Sequence, residues 1–147
     1  VVDVRGIPGA QGSKRHVGNG VMVESSAKVK PWRQDVKAAA ETALTASDWP
    51  QPCQQPVHLR AIFTFTRPRS HYRTGKFADQ LRDDAPLYVT SRGAGDLDKL
   101  ERSTNDALTA AGVVADDALI VTSRTSKVYG EQSGAHLILI TDSEVTA

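Results

Sequence analysis

Apolar residues recur along this chain in distinct rhythms, and each rhythm predicts an element. In "VHLRAIFTFT", Val57 to Thr66, Val57, Leu59, Ala61, Phe63 and Phe65 face one way and His58, Arg60, Ile62, Thr64 and Thr66 the other. Period two predicts a β-strand. Trp32, Val36, Ala39, Ala40, Ala43 and Leu44 instead recur at helical spacing, which predicts a helix from about Trp32 to Ser47 with Pro31 in its first turn. Leu100, Thr104, Ala107, Leu108 and Ala111 mark a second helix, Leu100 to Ala111, with Gly112 as its C-cap. The chain opens on a short strand through Ile7, and Val21 to Glu24 reads as a hairpin partner behind the Gly-Asn-Gly turn of residues 18–20. "ALIVTSRTSKVYG" and "AHLILIT" predict two later strands. The three prolines of "WPQPCQQP" make it a loop. Arg67 to Gly95 lacks periodicity, and a loop of that length in a compact domain is usually functional or mobile. Strands and helices in mixed order predict an α+β (α/β layered) fold, one domain over residues 1–147, with a mixed β-sheet packed by two main helices.

Composition narrows the classes. At 147 residues, 39% apolar and 24% charged, the chain suits one soluble globular domain. No apolar run approaches the ~18 residues of a membrane span, and the N-terminal segment lacks a signal-peptide pattern. A cytoplasmic protein without a membrane partner is the expectation. Cys53 is the single cysteine, which excludes an intrachain disulfide and a cysteine-based zinc site. His16, His58, His71 and His136 are too scattered to suggest a histidine metal site.

The formal charge of +1 hides an asymmetry. Residues 1–76 carry twelve Lys/Arg against five Asp/Glu, a balance of +7, and residues 77–147 carry six against twelve, a balance of −6. A basic half joined to an acidic half suits a protein that grips a polyanion and does metal chemistry on it. Basic side chains in two loops are the candidates for a phosphate backbone: Lys14 and Arg15 in the first, and Arg67, Arg69, Arg73 and Lys76 in the second. Lys127, on the strand after Asp117, is a further candidate.

The candidate chemistry lies in "GDLDKLERSTNDALTAAGVVADD", Gly95 to Asp117. One reading is structural: Asp98 with Glu101 approaches a capping box, and Asp116 and Asp117 make a turn. The other is a site. A helix from Leu100 to Ala111 is roughly 18 Å long, and the six residues from Gly112 to Asp117 can span about 20 Å. Asp117 is therefore able to return to Asp96 and Asp98 at the helix start. Three converging carboxylates repel one another, and a hard divalent cation such as Mg²⁺ relieves that repulsion. Arg102 follows Asp98 by four residues on the same face, placed either to stabilise charge on a phosphate or to pair with Asp98 or Asp106.

These residues carry a family resemblance. Asp96-Leu97-Asp98-Lys99-Leu100, Asp106-Ala107-Leu108, Gly112-Val113 and Asp116-Asp117 resemble the signature of the RusA family of Holliday-junction resolvases. "GIPGAQGSKR", "FTFTRPRSHYRTG" and "SKVYG" are similar to other family segments, so the resemblance covers about residues 4–140. It implies that Asp96, Asp98 and Asp117 are catalytic carboxylates and metal ligands, with Mg²⁺ as cofactor and Mn²⁺ as substitute. It also implies that Arg102 takes the place of the family's usual catalytic lysine. Ala94-Gly95 departs from the Lys-Pro or Arg-Pro that the family usually places before the first aspartate.

The function this implies is a Mg²⁺-dependent endodeoxyribonuclease, often phage-borne and then active in the bacterial host cytoplasm. It would resolve four-way DNA junctions by paired nicking, as a homodimer with one site per subunit. The alternative is a non-catalytic junction-binding dimer of the same fold, its carboxylates serving as caps and turns.

Overall fold

The structure is a computed structural model that describes residues 1–12, 14–16, 18, 22–24 and 27–142, with the backbone alone for 14–16 and 22–24. Strand β1 (Val2–Arg5) is followed by two short strands, β2 (Lys14–His16) and β3 (Met22–Glu24), and by helix α1 (Val29–Thr45). Strand β4 (Val57–Phe65), helix α2 (Leu97–Ala111) and strands β5 (Ile120–Tyr129) and β6 (Gly134–Thr141) complete the order. The expected α+β architecture is present, as one mixed four-stranded sheet with two helices. A separate two-stranded ribbon of β2 and β3 accompanies it.

In the main sheet the strands lie in the order β1-β6-β4-β5. Strand β4 runs antiparallel to β6 and parallel to β5. A parallel pair needs a long crossover, and here the crossover contains α2. That connection sets the amino end of α2 beside β5. The ribbon corrects one expectation: Met22–Glu24 pairs with Lys14–His16, while β1 pairs with β6. Val21 lies outside the described residues.

Period-two patterning in β4 translates directly into burial. Val57, Leu59, Ala61 and Phe63 are buried, and the alternate side chains are partly or fully exposed. They meet Trp32, Val36, Ala40 and Leu44 of α1 and Leu100, Ala107 and Leu108 of α2 in one core. Each large apolar side chain moved from water into such a core stabilises the fold by about 1.5–3 kcal/mol. Trp32 sits at the centre, with no solvent exposure and its ring edge-on to Phe63 at 6.4 Å between centroids.

Both helices begin three residues earlier than their apolar periodicity suggests. Helix α1 starts at Val29, which is buried, and ends at Thr45 rather than Ser47. Pro31 is its third residue, where the missing N–H costs no intrahelical bond. In α2 the first helical bond runs from Leu100 N–H to Asp96 O at 3.0 Å. Asp96 therefore holds the N-cap position in extended conformation and Asp98 lies inside the first turn. The capping box proposed for Asp98 and Glu101 is not what starts this helix.

The long connection from Arg67 to Gly95 has its own local order. Three 3₁₀ turns, at Arg69–His71, Gly75–Phe77 and Arg92–Ala94, punctuate it. Arg73 N–H to Gln80 O at 2.8 Å and Arg82 N–H to His71 O at 2.9 Å fold its first half back on itself.

Candidate active site

The site is built on the turn that leads into α2. After the 3₁₀ turn Arg92–Ala94, Gly95 adopts φ +86°, a left-handed value that L side chains rarely take. A Cβ added there would lie 2.3 Å from the Cβ of Ala10. The turn is tied from three directions. Gly95 N–H donates to Arg92 O at 3.1 Å. Lys28, just before α1, donates its ammonium to Gly93 O at 2.9 Å. Lys127, on β5, donates to Gly95 O at 3.0 Å.

The N-terminal "PGAQ" segment runs along the same end of the helix. Gln11 N–H donates to Lys99 O at 3.1 Å, and the buried Ser103 hydroxyl donates to Gly9 O at 2.6 Å. Gly9 has no room for a side chain, because an added Cβ would lie 2.4 Å from Lys28 O. Backbone from residues 9–11 and 93–95 thus meets at the helix start.

Four of the expected site residues stand around this frame. Asp96 is exposed, makes no side-chain cap, and lies 3.6 Å from the Lys99 ammonium. Asp98 is exposed one residue into the helix, where a negative charge suits the positive end of the helix dipole. Arg102 is exposed on the next turn. Among the described residues, neither the Asp98 nor the Arg102 side chain makes a hydrogen bond or ion pair, so the pairing of Arg102 with Asp98 or Asp106 is not formed. Lys127 is half-buried, with its ammonium directed at the Gly95 carbonyl.

Asp106 is a structural residue, as its place late in the helix suggests. Its carboxylate accepts from Arg33 at 3.0 Å, and the same guanidinium nitrogen donates to Gln11 Oε1 at 2.6 Å. The interaction links α1, α2 and the N-terminal segment.

Asp117 occupies a different setting. Asp116 caps the 3₁₀ turn Asp117–Leu119, accepting from Ala118 N–H at 2.8 Å. A hydrogen bond with the Asp116 side chain, reinforced by desolvation and by the charges of Asp116 and Asp106, raises the Asp117 pKa above its ordinary value. The charges acting on Asp117 are thus those of Asp116 and Asp106. Among the described residues, no three His, Cys, Asp or Glu side chains form a group able to hold a metal ion. In one chain, Asp96, Asp98 and Asp117 do not make a ready metal cluster.

The candidate DNA-contacting arginines divide into held and free. Arg67 donates to Pro86 O at 2.7 Å and lies 4.4 Å above the Tyr129 ring, which His71 meets edge-on at 5.4 Å. Arg67 thereby fastens the long connection to β5. Arg73 pairs with Asp83 at 2.9 Å. Arg69 is exposed, and its side chain makes no hydrogen bond or ion pair among the described residues. Together with Tyr72 and Ala78, these three arginines line a depression of about 300 Å³. Lys76 stands 5.3 Å from the Phe77 ring. The side chains of Lys14 and Arg15 lie outside the described residues.

Lys28, Gln11 and Ser103 are the contributors that sequence reasoning missed. Each bonds a backbone carbonyl far away in sequence, and no local motif marks them.

The fold and its charged elements define a class before they define a family. This is an α+β protein that carries acidic side chains at both ends of one crossover helix beside an arginine-rich connection. The family model for endodeoxyribonuclease RusA matches residues 4–140, and the chain belongs to the RusA endodeoxyribonuclease family, whose members are Holliday-junction-resolving nucleases. Comparison with curated proteins finds none that matches. No helix among the described residues is long and apolar enough to cross a membrane.

Proposed function

We propose that this protein is a Mg²⁺-dependent, structure-selective endodeoxyribonuclease that resolves four-way DNA junctions by paired nicking as a homodimer. Mn²⁺ would substitute for Mg²⁺, and the protein would act in the cytoplasm, that of a bacterial host if it is phage-encoded. One observation carries the reading: among the described residues, Asp98 and Arg102 stand exposed and without side-chain partners on successive turns of α2, next to Asp96 on a turn tied down by two lysines. Charged side chains left unpartnered on so constrained a frame are available to substrate and cofactor.

Asp96, Asp98 and Asp117 are the proposed metal ligands. All are carboxylates, the oxygen donors that Mg²⁺ prefers. A bound divalent ion would supply Lewis acidity and an activated water to phosphodiester hydrolysis. One chain does not group the three side chains, so the reading assigns the complete ligand set to the dimer. There, Asp117 of a second copy would join Asp96 and Asp98.

The remaining roles belong to the chain's own cations. Arg102 would hold the scissile phosphate and stabilise charge developing on its oxygens. Arg69, with Lys14, Arg15, Arg73 and Lys76, would contact flanking phosphates and give salt-dependent affinity.

The test is cleavage of a synthetic four-way junction in Mg²⁺. Wild type should nick opposed strands, and Asp98→Asn should bind the junction without cutting it. Junction binding by wild type without cleavage at any Mg²⁺ or Mn²⁺ concentration would instead establish a non-catalytic junction-binding dimer.

A further inference from the structure

We infer that Lys28 and Lys127 are positioning residues that fix the turn Gly93–Asp96 and so set the direction in which Asp96 and Asp98 leave it. The inference rests on the reading of those carboxylates as the reactive centre. Its structural part can be measured without metal or DNA.

The two lysines come from unrelated places. Lys28 immediately precedes α1, and Lys127 lies on β5, paired in register with Phe63 of the central strand. Their ammonium groups nevertheless converge on alternate carbonyls of one turn, Gly93 O at 2.9 Å and Gly95 O at 3.0 Å. Neither lysine forms an ion pair among the described residues, and no other side-chain hydrogen bond to either carbonyl is present among them.

Two features make this more than surface decoration. First, the turn is constrained but not self-sufficient. Gly95 at φ +86° is pressed against Ala10, and within the turn only its N–H and that of Ala94 bond locally, to Arg92 O and Ser91 O. The carbonyls of Gly93 and Gly95 take their side-chain bonds from the lysines. A hydrogen bond from a charged donor is among the stronger contacts available to a carbonyl.

Second, ammonium groups at a helix amino end oppose the helix dipole. That position is favourable only where carbonyls or carboxylates offset it. The Gly93 and Gly95 carbonyls provide part of that offset, and Asp96 and Asp98 lie one and three residues beyond Gly95. Lys127 was a candidate phosphate contact. Its half-buried stem and carbonyl partner assign it to the frame instead.

Hydrogen–deuterium exchange on Lys28→Met and Lys127→Met, with Lys28→Arg and Lys127→Arg as conservative partners, tests the first part. Methionine keeps the apolar stem and removes the donors. Exchange at the two bonded amides of this stretch, Gly95 and Leu100, should quicken about tenfold or more, the fold-change expected when a hydrogen bond to a charged group is lost. The α1 and β4 amides should be unchanged, and the arginine variants should recover most of the protection. Unchanged exchange at Gly95 and Leu100 in both methionine variants would overturn the inference.

The second measurement separates positioning from DNA contact. In Lys127→Met, half-saturating Mn²⁺ for junction cleavage should rise about tenfold, while the dependence of junction affinity on salt keeps its slope. A slope reduced by about one, the signature of a lost phosphate contact, would make Lys127 a DNA ligand and overturn its positioning role. If wild type never cleaves, the nuclease reading fails, while the exchange result still decides whether the lysines fix the turn.

Discussion

The indole N–H of Trp32 donates to Thr104 Oγ1 at 3.1 Å, and the Thr104 hydroxyl in turn donates a hydrogen bond to Leu100 O at 2.8 Å. Both side chains are wholly buried, so this chain of bonds satisfies the polar atom of the largest core residue and ties α1 to α2. The orientation of α2 relative to the sheet, and hence of Asp98 and Arg102, depends on that seam.

Thr104→Val should expose its importance. Valine matches the shape of threonine but accepts no hydrogen bond, leaving the indole N–H buried without a partner. The expected cost is about 1–3 kcal/mol, read as a lower urea midpoint with an unchanged slope. An unmoved midpoint would mean that the indole finds another acceptor.

Gly95→Ala should be costly for a different reason. The added Cβ meets the Ala10 Cβ at 2.3 Å and must adopt φ +86°. Residues forced into such backbone conformations cost on the order of 1–3 kcal/mol. Denaturant unfolding measures the loss, and Ala10→Gly in the same chain should restore the steric part while leaving the backbone part.

Arg67 and Arg69 lie two residues apart and should respond oppositely. Arg67 is held by Pro86 O and the Tyr129 ring, so Arg67→Ala should lower stability, the cation–π contact alone contributing about 0.5–1 kcal/mol. Arg69 has no such partner, and Arg69→Ala should leave thermal stability unchanged while reducing the salt slope of junction binding by about one. Calorimetry and binding across a salt series distinguish the two.

The contrast marks where the sequence was legible. Strand β4 and both helix faces follow from periodicity because burial alone dictates them: Leu59, Phe63, Trp32 and Leu108 have nowhere else to go. The acidic blocks at the two ends of α2 were visible for the same kind of reason, their spacing along the chain. Helix starts were not, because Val29 and Leu97 extend each apolar face by one turn that periodicity leaves ambiguous. The frame under Asp96 was invisible. Lys28 and Lys127 reach it from 65 and 32 residues away, and their partners are carbonyls, which every residue carries. Nor does sequence distinguish Arg67 from Arg69, since only the ring of Tyr129, brought in by β5, separates a fastener from a free cation.

The acidic pair at the other end of the helix gives a pH prediction. Asp117 is raised above its ordinary value of 3.8, first by its hydrogen bond with Asp116. The native state therefore holds this proton more tightly than the unfolded chain does. The associated stability is present below the ordinary carboxylate value and is lost as pH rises through the raised one. Asp116→Asn replaces a competing acid with an amide that can donate to the carboxylate, so the Asp117 pKa should fall. Titration followed by carboxyl-carbon chemical shifts reads this directly, and an unchanged Asp117 value would assign the shift to Asp106 and desolvation instead.

That no metal-holding group of three carboxylates forms within one chain, among the described residues, leads to the most decisive experiment. If each site takes Asp96 and Asp98 from one copy and Asp117 from the other, Asp98→Asn and Asp117→Asn should each be inactive alone. Mixed by co-refolding, they form heterodimers in which one site carries both lesions and the other carries none. Nicking should return, limited to one strand of each junction, so that nicked intermediates accumulate and paired resolution stays rare. If all three carboxylates act within one copy, every site in the heterodimer carries one lesion and the mixture stays inactive. Gel analysis of a junction labelled on each strand in turn separates the outcomes. Unequal recovery between strands of a symmetric junction is not expected, because the heterodimer can bind in either orientation.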